Sequence, residues 1–258
     1  MTERSTHLFQ APDPRQTVAG LVLEHSACAA VLQRHRIDFC CGGELSIAEA
    51  AEKRGVELDA LLHELGRTIA ERQSVEDVSL RELPTAELVE HIVARHHDTL
   101  RKSLPFVQGL AAKVSRVHGG TNPKLRELDD AVQELSEILL AHLDEEEQEL
   151  FPALTTEPLD EARIRRLLGS MTGDHTDIAV LLERIRAASD DFSLPHWACT
   201  SYRTLFSELW ELEADIFIHV HLENHVLKPR FVRSPARSTV ERPPDADGRL
   251  QTTSTTRG

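Results

Sequence analysis

Aromatic side chains are scarce: one Tyr, two Trp and eight Phe make up 4% of 258 residues. That scarcity argues against a β-sandwich, whose strands are enriched in aromatic and β-branched residues. Strand-like alternation of apolar and polar residues is missing too. Hydrophobic residues still reach 40%, with Leu, Val, Ile and Ala doing most of the filling, which suits helices packed on helices. Positive charge is in short supply. The 29 Lys and Arg face 43 Asp and Glu, a net charge of -14, so a polyphosphate would be repelled and nucleic acid is not an expected partner. No CxxC pair occurs among Cys28, Cys40, Cys41 and Cys199, which removes the usual thiolate zinc site. No apolar run is long enough to span a bilayer, and the opening "MTERSTHLFQ" carries no apolar signal core. The expectation is a cytoplasmic protein with reduced thiols and no membrane partner.

Helix punctuation organises the chain. Residues 1–16 read as a disordered N-terminus, and 17–75 as a small helical domain. Within it, Thr17 opens one or two short helices, the Gly42-Gly43 pair makes a turn, Ser46 caps the next helix and Gly55 closes it. Residues 76–83 are a polar linker. Four segments of about 30 residues follow within 84–231, roughly 84–118, 123–154, 160–190 and 196–230, joined by short connections. The expected fold is all-α: an up-down-up-down four-helix bundle behind a small helical N-terminal domain. Residues 232–258, rich in Pro, Ser, Thr and Arg, read as a disordered tail.

The apolar stripe of each long helix turns polar at one level. It runs Leu135, Leu139, His142, Glu146, Leu150 in the second helix and Leu212, Ile216, His219, Glu223, Val226 in the fourth. The first stripe contains His97 and the third His175. His142 and Glu146 lie about 40° apart around the helix axis and one turn along it, so they project to the same place. Glu145, Glu147 and Glu149 fall outside the stripe and read as a solvated face. In an antiparallel bundle the six stripe residues fall within a few turns of one another, because His97 and His175 lie early in their helices and the two glutamates late. Burying them without partners costs several kcal/mol each. A metal satisfies them, and imidazole with carboxylate suits iron, zinc or manganese. Four histidines and two glutamates suffice for two metals bridged by the carboxylates, with positions left open for a small ligand such as O2 or NO.

The stretches "IDFCCGGELSIAEAA", "IVARHHDTLRKSLP", "HLDEEEQELFP", "GDHTDIA" and "HVHLENHVLKP" resemble the RIC (repair of iron centres, ScdA-type) family of hemerythrin-like di-iron proteins. The likeness spans about residues 17–231. It implies two non-haem irons, oxo- and carboxylate-bridged, held by His97, His142, Glu146, His175, His219 and Glu223. It implies repair of iron–sulfur clusters damaged by nitrosative or oxidative stress, through iron donation or NO chemistry, with the damaged cluster proteins as partners. An O2 or iron sensor, an NO-reducing oxidoreductase and a purely structural bundle are the alternatives. The chain departs from oxygen-carrying hemerythrins at Asn224, where those have Asp. It departs from RIC relatives at His225, where an asparagine is usual, and at Lys228, where an apolar residue usually precedes the proline.

Cys40 and Cys41 are the second chemical feature. Flanking glycines suggest exposed thiols, read as a redox-active or iron-handling pair, and such thiols also allow a homodimer. Adjacent cysteines disfavour a stable disulfide with each other. Cys28 and Cys199 read as core fillers, His118 as a helix-end cap, and His221 and His225 as surface residues. Asp174 and His91 are candidates to support the site or to be solvated.

Overall fold

A computed structural model describes residues 11–72 and 80–232. Among the described residues there is no strand, only one isolated bridge between Thr17 and Ser46. The N-terminal unit comprises α1 (Val18–Glu24), α2 (Cys28–Arg34), α3 (Ile47–Arg54) and α4 (Leu58–Arg72). Thr17 caps α1 through the Gly20 amide. Ser46 and Glu49 form a reciprocal capping box on α3, and Gly55 ends that helix at φ 66°, a left-handed conformation open to glycine without steric penalty. Residues 11–16, expected to be disordered, instead form a turn. The Ile47 and Ala48 amides, at the start of α3, bond to the carbonyls of Gln16 and Pro14 at 3.0 Å. The rest of the N-terminal segment and residues 233–258 lie outside the described residues, as do residues 76–79 of the expected linker. Residues 80–83 are held to the end of the fourth bundle helix, where Arg230 donates to the Arg81 and Leu83 carbonyls.

The bundle's first helix combines α5 (Thr85–Ile92), a π-helical turn (Val93–His97) and α6 (Asp98–His118). The second combines α7 (Lys124–Glu145), a π-turn (Glu146–Leu150) and α8 (Phe151–Thr155). The third is α9 (Glu161–Ala188). The fourth is α10 (Thr200–Leu222), a π-turn (Glu223–Leu227) and a short 3₁₀ turn (Lys228–Arg230). Packing runs α10 against α6, α6 against α7 and α7 against α9. Two apolar clusters, one around Leu135, Leu139 and Leu209, the other around Leu150, Leu168 and Leu222, sit on either side of a polar layer.

The N-terminal unit covers the seam between α9 and α10. Its core extends onto Phe217 and Ile218 of α10, and the Phe39 ring meets Phe217 edge-on at 5.7 Å. A buried polar cluster crosses the same seam: Gln33 and Arg186 both bond to Glu213. Arg36 and Arg54 reach the Glu183 carboxylate at 2.7 and 2.6 Å.

Candidate metal centre

Three π-turns bring ligand-type residues to one level. Each closes a bond five residues back: Asp98 N to Val93 O, Phe151 N to Glu146 O and Lys228 N to Glu223 O. Such turns recur at functional sites. Two have a local cause. Pro152 and Pro229 sit two residues beyond them, where the ring would crowd the carbonyl four residues back, and a widened turn relieves that clash. The His-Glu-Pro spacing is the same in both helices: His142, Glu146, Pro152 and His219, Glu223, Pro229. We find no local cause for the π-turn at Val93–His97.

The structure brings all six stripe residues together, each at most 2% exposed. Glu146 spans two histidines, with Oε2 3.4 Å from His97 Nε2 and Oε1 3.5 Å from His142 Nε2. Glu223 spans three, with Oε1 3.7 Å from His97 Nε2 and Oε2 3.1 Å and 3.8 Å from the Nε2 atoms of His175 and His219. Two overlapping groups result: His142, Glu146, His175 and Glu223, and His97, His219 and Glu223, each with its ligand atoms within 4.8 Å of one another. The carboxylate oxygens of both glutamates, His97 Nε2 and both His219 nitrogens are buried with no hydrogen-bond partner. Nε2 of His142 faces Nε2 of His175 at 3.2 Å. Orphaned acceptors and facing imidazole nitrogens are the donor set that a cation completes.

Charge follows the same geometry. Burial opposes a proton on His97, but the Glu146 and Glu223 carboxylates outweigh it and push the group up to about 10. His142 is likewise opposed by burial and raised to about 9, chiefly by Glu146. Burial and the Glu223 charge raise Glu146. Glu223 resists its own burial because hydrogen bonds from His175 and His97 hold it well below the usual carboxylate range. Burial keeps His219 neutral, well below the imidazole range. Without a cation, imidazole protons offset the buried carboxylates, so a cation entering the site must displace them.

Three ring nitrogens on the outer side of the cluster have polar partners. His97 Nδ1 lies 3.0 Å from Glu147, His142 Nδ1 3.3 Å from Asp174 and His175 Nδ1 3.2 Å from Asn224. Carboxylate and amide oxygens only accept, so Nδ1 carries a hydrogen, and once a cation displaces the second proton of His97 and His142 the Nε2 lone pair is left for the metal. Glu147 therefore is not part of a solvated face. It turns back to His97 and Arg101. His96, one residue before His97, is buried, bonds Asp215 at 2.9 Å and lies 6.1 Å from the His219 ring, centroid to centroid. His91 meets the His96 ring edge-on.

The Cys40-Cys41 turn docks against this centre. Asp38 accepts from the amides of Cys40, Cys41 and Gly42 at 2.8–2.9 Å. The Cys40 carbonyl accepts from Asn224 Nδ2 at 3.1 Å and from His225 Nε2 at 2.8 Å, and the Phe39 carbonyl accepts from His221 Nδ1. Cys41 Sγ lies 3.7 Å from the His175 carbonyl oxygen. Four sequence expectations need correction here. Cys40 is buried, 3% exposed, and only Cys41 faces solvent. His221 is buried and His225 half-buried, because the N-terminal unit lies on that face of α10. Cys199 is exposed, not a core filler, since it precedes α10 and meets His118 Nε2 at 3.2 Å. His118 makes that contact and packs on Trp197 and Tyr202 instead of capping its helix. Cys28 is buried, as expected.

A helical bundle with a buried histidine–carboxylate layer defines a hemerythrin-like cation-binding protein. Residues 88–231 match the model of the hemerythrin HHE cation binding domain, and residues 14–68 match that of ScdA_N, a domain of unknown function (DUF542). The chain is 32% identical over 218 residues to the iron-sulfur cluster repair protein ScdA of Staphylococcus haemolyticus, covering 83% of this chain and 96% of the relative. It is 31% identical over 226 residues to the iron-sulfur cluster repair protein YtfE of Yersinia pseudotuberculosis, covering 84% and 97%. The chain belongs to this ScdA/YtfE family of hemerythrin-like proteins. None of its described helices is long and apolar enough to cross a membrane.

Proposed function

We propose that this protein is a cytoplasmic di-iron protein that restores iron–sulfur clusters damaged by nitrosative or oxidative stress. The observation that carries the reading is the pair of overlapping ligand groups sharing Glu223, lined by buried polar atoms that have no protein partner. His142 and His175 would hold one iron and His97 and His219 the other, with Glu146 and Glu223 spanning both. When bound, the iron pair supplies open coordination positions for NO or O2 and a store of ferrous iron. Glu147, Asp174 and Asn224 fix the imidazole rings so that Nε2 points inward. The flanking apolar clusters keep bulk water from the carboxylates. The names of the relatives support cluster repair as the outcome, and proteins carrying damaged clusters are the partners.

The test uses a four-iron cluster hydratase inactivated by NO. Iron-loaded protein is expected to restore its activity faster than an equal amount of free ferrous iron, and Glu223→Ala is expected to lose that advantage. Equal recovery with free iron, wild type and variant would count against the reading.

A further inference from the structure

Beside the metal layer, between the Cys40-Cys41 turn, the middle of α9 and the turns that follow α10, lies a cavity of about 330 Å³. That is the lower end of the range for small-molecule sites. Cys41 lines one side, with its thiol exposed. Lys228 lines another. Its ammonium is half-buried and donates to Thr172 Oγ1 at 2.8 Å. No carboxylate pairs with it among the described residues, and an ammonium has three donors, so two are left to a ligand. The acidic residue at the rim, Glu44, is 89% exposed and lies nearer His225, at 3.8 Å, where water screens it. Cys40 is buried 3.8 Å from Cys41, sulfur to sulfur.

We infer that this cavity is a binding site for a small thiol carrying a carboxylate, or for its disulfide. Lys228 takes the carboxylate and Cys41 exchanges with the sulfur. In the exchange the Cys41 thiolate attacks one sulfur of the small disulfide. That S–S bond breaks, a new one forms to Cys41 Sγ, and the departing thiolate takes up a proton equivalent to the one Cys41 released. Cys41 is oxidised to the mixed disulfide and half of the small disulfide is reduced to a thiol. Cys40 does not displace the adduct readily, because a disulfide between neighbouring residues is strained. The site is independent of the repair reading, since neither Cys41 nor Lys228 belongs to the six-residue cluster.

The experiment reacts the full-length iron-loaded protein with dithiodipropionate, dithiodiethanol and cystamine, which are anionic, neutral and cationic disulfides. Adducts at Cys41 are timed by peptide mass spectrometry. Exposed Cys199, at the far end of the bundle, serves as an internal reference. The anionic reagent should modify Cys41 on the order of tenfold faster than the cationic one at low salt, a preference that fades in high salt. Lys228→Met should abolish the preference at Cys41 and leave Cys199 unchanged, with iron content retained as the check on folding. Cys40→Ser should still form the adduct. Equal rates for the three reagents, or a preference that survives Lys228→Met, would overturn the assignment, whatever the outcome of the repair assay.

Discussion

Asn224 Oδ1 accepts from His175 Nδ1 at 3.2 Å while its Nδ2 donates to the Cys40 carbonyl at 3.1 Å. One carboxamide thus joins the thiol turn to the cluster. The arrangement recurs around the bundle. Glu147, beside Glu146, holds His97, and Asp174, beside His175, holds His142. Each of these supporting residues is the sequence neighbour of a cluster residue on the adjacent helix.

Loss of the Asn224 carboxamide frees the His175 ring. Asn224→Ala is expected to lower iron affinity about 10- to 100-fold, measured by competition with a ferrous chelator. Cys41 in the variant should also react faster with iodoacetamide, because its turn loses an anchor. Unchanged affinity would show that packing alone orients His175.

Glu147→Ala should weaken iron binding by about tenfold, whereas Glu149→Ala should leave it unchanged. Glu149 pairs with Arg163 at the surface, away from the imidazoles. Equal effects of the two substitutions would mean that general acidity, not the His97 contact, matters.

A Cβ on Gly43 would lie 2.5 Å from the Phe39 carbonyl oxygen, 2.7 Å from Ala19 Cβ and 2.8 Å from His225 Nε2. Two of these neighbours are packed backbone or short side chain and cannot yield cheaply. Gly43→Ala is expected to destabilise by about 1–3 kcal/mol and to expose Cys40. Thermal melting and a thiol count with Ellman's reagent check both effects; a stable variant with Cys40 still protected would refute the close docking of the turn.

Much of this was legible in the sequence because helix periodicity is local. Histidine at a leucine position of each stripe marks the polar layer, and Pro123, Gly55 and Ser46 mark helix ends. What lay hidden depends on contacts between distant segments. Nothing near His221 and His225 says that the Cys turn covers them, and nothing near Glu147 says that it bends toward His97. Cys40 and Cys41 are adjacent, yet one is buried and one exposed because Asp38 folds the turn onto α10.

The Glu183 link between the N-terminal unit and the bundle has a pH signature. Burial tends to raise its carboxyl, but Arg54 and then Arg36 hold it below 4.5. A depressed carboxylate stabilises the fold above its unfolded value and stops doing so as pH falls through the folded value. The pair is half-exposed, so the contribution is about 0.5 kcal/mol. The stability difference between wild type and Glu183→Gln should hold from pH 7 to about 5 and shrink below about 4.5. A constant difference down to pH 3 would exclude the ion pair as its source.

The central claim is that the buried histidines and glutamates hold two irons. The most direct test is anaerobic titration of metal-free protein with ferrous iron, followed by calorimetry and melting temperature. Two equivalents per chain are predicted, with a higher melting temperature on loading, and both should be lost in the Glu146→Ala/Glu223→Ala variant. Uptake of a single equivalent, or equal uptake by that variant, would contradict the account.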